Sequence, residues 1–193
     1  MPQSQFKRPE DAKYYAEPWS TGYLQGDIFT DVPLAFAAPP DAIVIAEGER
    51  RFITGPFDAG PAMLLSPSCA IAAQGKDVPE GAYSHAARVM APIRPIEQLL
   101  DAGVITEKNI DALRADKLRN YLYLPPGKEW PESVALLYLP ITVHHDVIKD
   151  LRTAQLTGEA YWHLRIKLMF FYGSFLLDPG ELGQPPEPTE REN

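Results

Sequence analysis

The stretch Gly60-Pro61-Ala62-Met63-Leu64-Leu65-Ser66-Pro67-Ser68-Cys69 decides the fold of this chain. A Gly-Pro turn opens it, the apolar run Ala62 to Leu65 follows, and Ser-Pro-Ser closes it. A short apolar run between turn residues predicts a strand covered on both faces. Pro67 has no N–H to give to a ladder, so pairing is expected to end at or before Ser66.

On the N-terminal side, residues 25–33 alternate polar and apolar, which predicts a first strand with Ile28, Thr30 and Val32 on one face. Residues 42–46 and 50–54 flank Gly48 and read as a hairpin. On the C-terminal side, residues 72–85 form a long loop, and 87–92 return as a second buried strand. Pro95 is placed to open a helix over 96–102 that stops at Gly103, and Thr106 is placed to cap another. Strands are expected at 120–124 and 132–139, each closed by proline. A short helix follows from Thr142 to about residue 151, and the longest helix runs 158–175 with Thr157 as its cap. On that helix, Glu159, His163, Lys167 and Ser174 share a polar arc opposite Tyr161, Leu164, Leu168, Phe171, Tyr172 and Phe175. The fold class is α+β: a small, bent, mostly antiparallel β-barrel with two or three packed helices.

A chain of 193 residues fits one domain, placed at 23–177. Residues 1–22 form an extension whose Tyr14, Tyr15 and Trp19 are expected to lie across the domain surface, and 178–193 form an acidic, proline-rich disordered tail. The twenty prolines fall between the apolar segments and act as punctuation. No apolar run approaches the ~20 residues of a membrane span, so no membrane contact is expected. The start of the chain lacks the basic and apolar parts of a signal peptide, which predicts a cytoplasmic location. The single cysteine excludes an internal disulfide and a multi-cysteine zinc site. The net charge of −8 opposes RNA binding, which leaves only a local patch for it.

Gly26-Asp27-Ile28-Phe29, then Gly60-Pro61-Ala62-Met63-Leu64-Leu65-Ser66, then Val89-Met90-Ala91-Pro92-Ile93 resembles the MazF/PemK family of growth-inhibiting toxins. The resemblance covers residues 26–95 and implies a bent barrel of the Src-homology type, a homodimer, and metal-free cleavage of RNA. It also implies a catalytic arginine just before the proline of the central strand, where this chain has Gly60, and a threonine where it has Arg94. The Ser-Pro-Ser-Cys exit is similar to that of a looser group of small bacterial proteins with a Tyr-Leu-Pro strand and a terminal aromatic helix.

An RNase needs a base for the 2′-hydroxyl and a cation for the transition state. Arg94 is a candidate replacement for the missing cation, as are Arg88 and the hairpin's Arg50 and Arg51, which are also binding candidates. Cys69 is a candidate nucleophile, with His85 or the His144-His145 pair as its base, against the commoner role of a cysteine as a small buried apolar residue. His144-His145-Asp146 matches no trusted metal spacing, and neither metal nor cofactor is expected. Its plainer role is at a helix start. Arg165 falls off the polar arc and calls for an acidic partner, a subunit contact or an extended route to water. Phe170 falls inside that arc and is a candidate contact with a second copy or a protein partner. Arg114, Lys117 and Arg119 precede Tyr121 and Tyr123, a set that can stack bases or simply face water. The leading expectation is a non-catalytic binding or regulatory protein associated with toxin–antitoxin or defence systems. A sequence-specific endoribonuclease is the alternative, and a cysteine-dependent enzyme the third reading.

Overall fold

The computed structural model describes residues 8–34, 58–67 and 87–173, together with the backbone of 43–47 and 50–54. Cys69, His85, the loop at 72–85 and the tail at 178–193 lie outside the described residues. The fold is α+β. Its main sheet has seven antiparallel strands: β1 (Ile28–Leu34), β4 (Asp58–Leu64), β5 (Ala87–Pro95), β6 (Tyr121–Leu124), β7 (Ser133–Leu136), β8 (Ile141–His144) and β9 (Arg152–Ala154). The strand order is β6-β7-β5-β4-β1-β9, with β8 also paired to β5. β2 (Ile43–Glu47) and β3 (Arg50–Thr54) form the separate hairpin that Gly48 predicts. The helices are α1 (Ile96–Asp101), α2 (Glu107–Arg114), α3 (His145–Ile148) and α4 (Gly158–Gly173).

β4 is covered on both faces, as its apolar run requires. Met63 and Leu65 enter one core with Ile28, Leu164 and Phe171. Ala62 and Leu64 enter a second with Phe29, Met90 and Ile148. Regular pairing ends at Leu64, ahead of Pro67. β5 is the longest strand, and it changes neighbours midway. Ala87 to Met90 pair with β8, Ile93 to Pro95 pair with β7, and Pro92 falls between the two ladders. A residue without an N–H is tolerated at that changeover, where one ladder has stopped and the next has not begun. Among the described residues the sheet is not closed: β6 and β9 end the strand order without pairing. Helix α4 reaches both ends instead, since Leu164, Leu168 and Phe171 share a core with Leu122 and Leu124 of β6 and Ala154 of β9.

β1 departs from simple alternation. Its register with β4 shifts between Phe29 and Val32, and Asp31 takes φ 52° inside that irregularity. Ile28 therefore faces the first core while Phe29, Val32 and Leu34 face the second, so Ile28 and Val32 do not share a face. A β-branched residue is strained in the left-handed region, whereas aspartate tolerates it and glycine adopts it freely. Asp31→Gly is expected to match or exceed the wild-type melting temperature, and Asp31→Val to lose about 1–2 kcal/mol. Thermal unfolding followed by circular dichroism checks this, and equal stability of the two variants would contradict the backbone conformation.

The capped helices follow the sequence. Ile96–Asp101 ends at Gly103, whose φ is +67°, and Thr106 forms a capping box with Asn109. The segment after Pro140 does not follow it. Ile141 to His144 is a strand, with Ile141 and Val143 buried and Thr142 and His144 exposed, because β5 offers it a ladder. The helix is confined to His145–Ile148, where the His144 side chain accepts from the Asp146 N–H. Tyr14 also sits deeper than a surface extension would. It is fully buried and donates to the Tyr123 carbonyl at 3.1 Å.

Candidate functional site

Strand β5 positions two of the arginines singled out by sequence, Arg88 and Arg94. Arg94 stands opposite Val134 and is half-buried, its Nη1 donating to the Ile93 carbonyl at 3.5 Å. Its guanidinium lies over Gly60: a Cβ added there would be 3.2 Å from Arg94 Nη1 and 3.1 Å from Leu34 Cδ1. The cation from β5 thus occupies the space beside the position where the toxin motif carries its arginine. Arg88, on the same strand, is buried where Arg94 is half-buried. It is 2% exposed, donates to the Ala87 carbonyl at 2.9 Å, and burial pushes its guanidinium pKa down. Burial and the charge of Arg88 also hold the His145 imidazole below the usual histidine range. Arg88 and Arg94 are six residues apart on one strand, about 20 Å at ~3.3 Å per residue, so the fold does not bring them together. Arg50 and Arg51 open β3 opposite Glu47 and Ala46.

The basic set before β6 is partly committed. Arg114 donates Nε and Nη2 to Glu132 at 2.7 and 2.8 Å, and the Tyr123 hydroxyl donates to the same carboxylate at 2.7 Å. Those bonds hold Glu132 below the usual carboxylate range. Arg119 donates to the Phe170 carbonyl at 3.3 Å, while Lys117 stays exposed.

Two buried polar clusters were not foreseen. In the first, the wholly buried Asp27 accepts from the Leu24 N–H at 2.9 Å, Gln155 Nε2 at 3.0 Å and Arg152 Nη1 at 3.1 Å. Arg152 also donates to the Gly22 and Ser20 carbonyls at 2.7 and 2.8 Å, and it lies over the rings of Trp19 and Tyr23. Gly26, at φ +96°, is required beside Asp27, since a Cβ would meet Leu156 Cδ1 at 2.7 Å. The Gly-Asp pair thus serves to clamp residues 19–25 onto β9.

In the second, the Asp116 carboxylate is 3% exposed at the end of α2. It accepts from Lys167 Nζ at 2.8 Å and the Tyr123 N–H at 3.3 Å, and it pairs with His163 Nε2. Lys167 Nζ also donates to the Asp116 carbonyl at 2.7 Å. Burial lowers the Lys167 pKa, and Asp116 opposes that shift. His163 and Lys167 share the polar arc with Glu159, and their side chains turn inward onto Asp116. A carboxylate–imidazole pair is one part of a nucleophilic triad. Among the described residues, however, no serine, threonine or cysteine side chain is hydrogen-bonded to His163, and the cluster works as a brace between α2 and α4.

The outward face of α4 is apolar. Trp162 is 59% exposed, Met169 64%, Tyr172 45% and Phe170 39%. Arg165 is also exposed, its guanidinium 5.1 Å from the Trp162 ring centroid and 5.8 Å from that of Tyr161. Its long stem takes it to water, with no acidic partner among the described residues. No sequence signal marks Trp162 and Ile166, since one polar and one apolar arc account for the rest of the helix. Among the described residues no group of three or more His, Cys, Asp or Glu is placed to hold a metal, and no helix is long and apolar enough to cross a membrane. No protein-family model matches the chain, and no curated protein matches it.

Proposed function

We propose that this chain is a non-catalytic binding protein on a MazF/PemK-like barrel, cytoplasmic and associated with toxin–antitoxin or defence systems. The barrel reading draws support from the antiparallel strand order and from the change of neighbours along β5. The association with such systems is an analogy from fold and carries that weight alone. One observation carries the binding reading. The buried carboxylates of Asp27 and Asp116 are bonded within the chain, while the terminal helix presents large apolar side chains to solvent. Contiguous apolar surface of this kind marks an interaction site.

Arg94 favours a second reading, an endoribonuclease, because its guanidinium reaches the space over Gly60. Inducible expression in a bacterium separates the two. The binding reading expects unimpaired growth and intact RNA. Growth arrest with RNA cut at a fixed sequence, abolished by Arg94→Ala, would replace it with the endoribonuclease. The cysteine-dependent reading rests on Cys69 and His85, outside the described residues.

A further inference from the structure

We propose that the outward face of α4 is covered by this chain's own C-terminal segment, with Pro185-Pro186-Glu187-Pro188 lying back along the helix in the opposite direction. The face is the one that carries the binding reading above, so the inference rests on that reading and names the occupant. An outside partner must then displace the segment, which makes it an autoinhibitory contact.

At 100° per residue, Trp162, Arg165, Met169 and Tyr172 fall within about 80° of one another on the exposed side of α4. The side facing the core holds Ala160, Leu164, Leu168 and Phe171. Among the described residues neither the Trp162 N–H nor the Tyr172 hydroxyl has a hydrogen-bond partner, and the Arg165 guanidinium lies over the Trp162 ring. Aromatic rings with available donors beside them suit a polyproline II segment. Its prolines stack on the rings, and its carbonyls, unbonded within the segment, accept from the donors.

The C-terminal segment has the matching pattern. Pro185 and Pro188 are one polyproline II turn apart, so they share a side at a spacing of about 9 Å. Trp162 and Met169 are two helical turns apart, about 10 Å along the axis. With Pro185 at Met169 and Tyr172 and Pro188 at Trp162, Glu187 comes level with Arg165, which has no acidic partner among the described residues. Arg191, the one cation after Asp178, then comes level with Glu159 at the start of the helix. The opposite sense would carry Arg191 to the other end, where Arg119 is bonded to the Phe170 carbonyl. Charge therefore selects the antiparallel placement.

Length permits it. From Gly173 back to Trp162 the helix covers about 16 Å. The chain from Gly173 to Pro185 reaches up to about 40 Å when extended, and Asp178-Pro179-Gly180 within it is a turn-forming triplet. A tethered segment also needs little affinity of its own. At an effective concentration of about 1 mM, a Kd of about 0.2 mM keeps the face covered in roughly five of six molecules.

Peroxide oxidation of Met169 in the full chain, followed by mass spectrometry of its peptide, reads that cover directly. Met169 is expected to oxidise about six-fold more slowly in the wild type than in Pro185→Ser/Pro188→Ser. Arg165→Glu and Glu187→Lys are each expected to speed the reaction, and the charge swap Arg165→Glu/Glu187→Lys to restore the protection. Arg165 is exposed and the other positions lie beyond the described fold, so the variants are expected to keep the wild-type circular dichroism. Equal rates in the wild type and the proline variant would overturn the inference, as would a charge swap no slower than its parents. Protection that survives the proline substitutions but is lost on dilution from about 100 µM to about 1 µM would also overturn it, and would assign the face to a second copy. None of these results touches the binding reading, which fails separately if expression of the chain cuts RNA.

Discussion

Asp116→Ala is expected to lower the stability of the folded chain by about 3–5 kcal/mol, read as a fall in the urea midpoint at unchanged slope. The carboxylate is nearly out of contact with water, and its removal strands the Lys167 ammonium, whose side chain is only 10% exposed. An ammonium left without its counter-charge in such a place is among the largest single costs available to a point substitution. His163 loses its partner at the same time, and the Tyr123 N–H loses its acceptor. Lys167→Met removes the need for the carboxylate, so the double variant Asp116→Asn/Lys167→Met is expected to recover much of the loss. Asparagine is chosen there because Asp116 has φ 53°, which an alanine tolerates poorly. A loss in the double variant equal to the sum of the losses of Asp116→Asn and Lys167→Met made singly would mean that Asp116 and Lys167 are not coupled.

Asp27→Ala is expected to cost a similar amount, about 3–5 kcal/mol, and to loosen residues 19–25 as well. Three donors converge on this wholly buried carboxylate, and one of them, Arg152, also holds two backbone carbonyls of that segment. Hydrogen exchange is expected to show faster exchange at the Ser20 N–H, which donates to Gln155 Oε1 at 2.9 Å. Asparagine does not rescue the site. Its amide group would point at a donor, and Gln155 cannot turn over because both ends of its amide are already used on Ser20. The site also shapes the pH response. Burial lifts the Asp27 pKa above the usual aspartate value, with the surrounding hydrogen bonds and Arg152 opposing the lift. Between those two values the folded chain binds a proton that the unfolded chain does not, so stability falls as pH rises through that window. Asp27→Asn is expected to lack that slope, and an unaltered slope would place its origin elsewhere.

The central strand, the Gly48 hairpin, the capped helices and the cover on both faces of β4 were legible because each is a local matter: a proline, a glycine, a capping side chain, an apolar run. The misread parts share a different cause. Residues 141–144 look like the approach to a helix until β5 supplies a partner for them, and no local feature announces that ladder. The shift in β1 at Thr30 and Asp31 inverts the facing of everything after it, while the sequence shows only an unbroken alternation. His163 and Lys167 lie beside the buried arc of α4, and whether they meet water depends on a single aspartate some fifty residues earlier in the chain. That aspartate had no motif to mark it, although its place just past the end of a helix is where a left-handed residue is common. Arg94 was singled out for a missing charge. The nearness of its guanidinium to Gly60 is a distance that only the folded chain can supply.

The change of neighbours at Pro92 ties two parts of the molecule to a single ribbon. The portion before the proline is bordered by β8, the portion after it by β7, and β4 runs along the opposite margin of the junction itself. Loss of that ribbon would strip all three at once, so neither half of the domain has a boundary along which it could melt alone. Cooperative, all-or-none denaturation is thus built into the chain at Pro92, where one strand passes from one neighbour to the next.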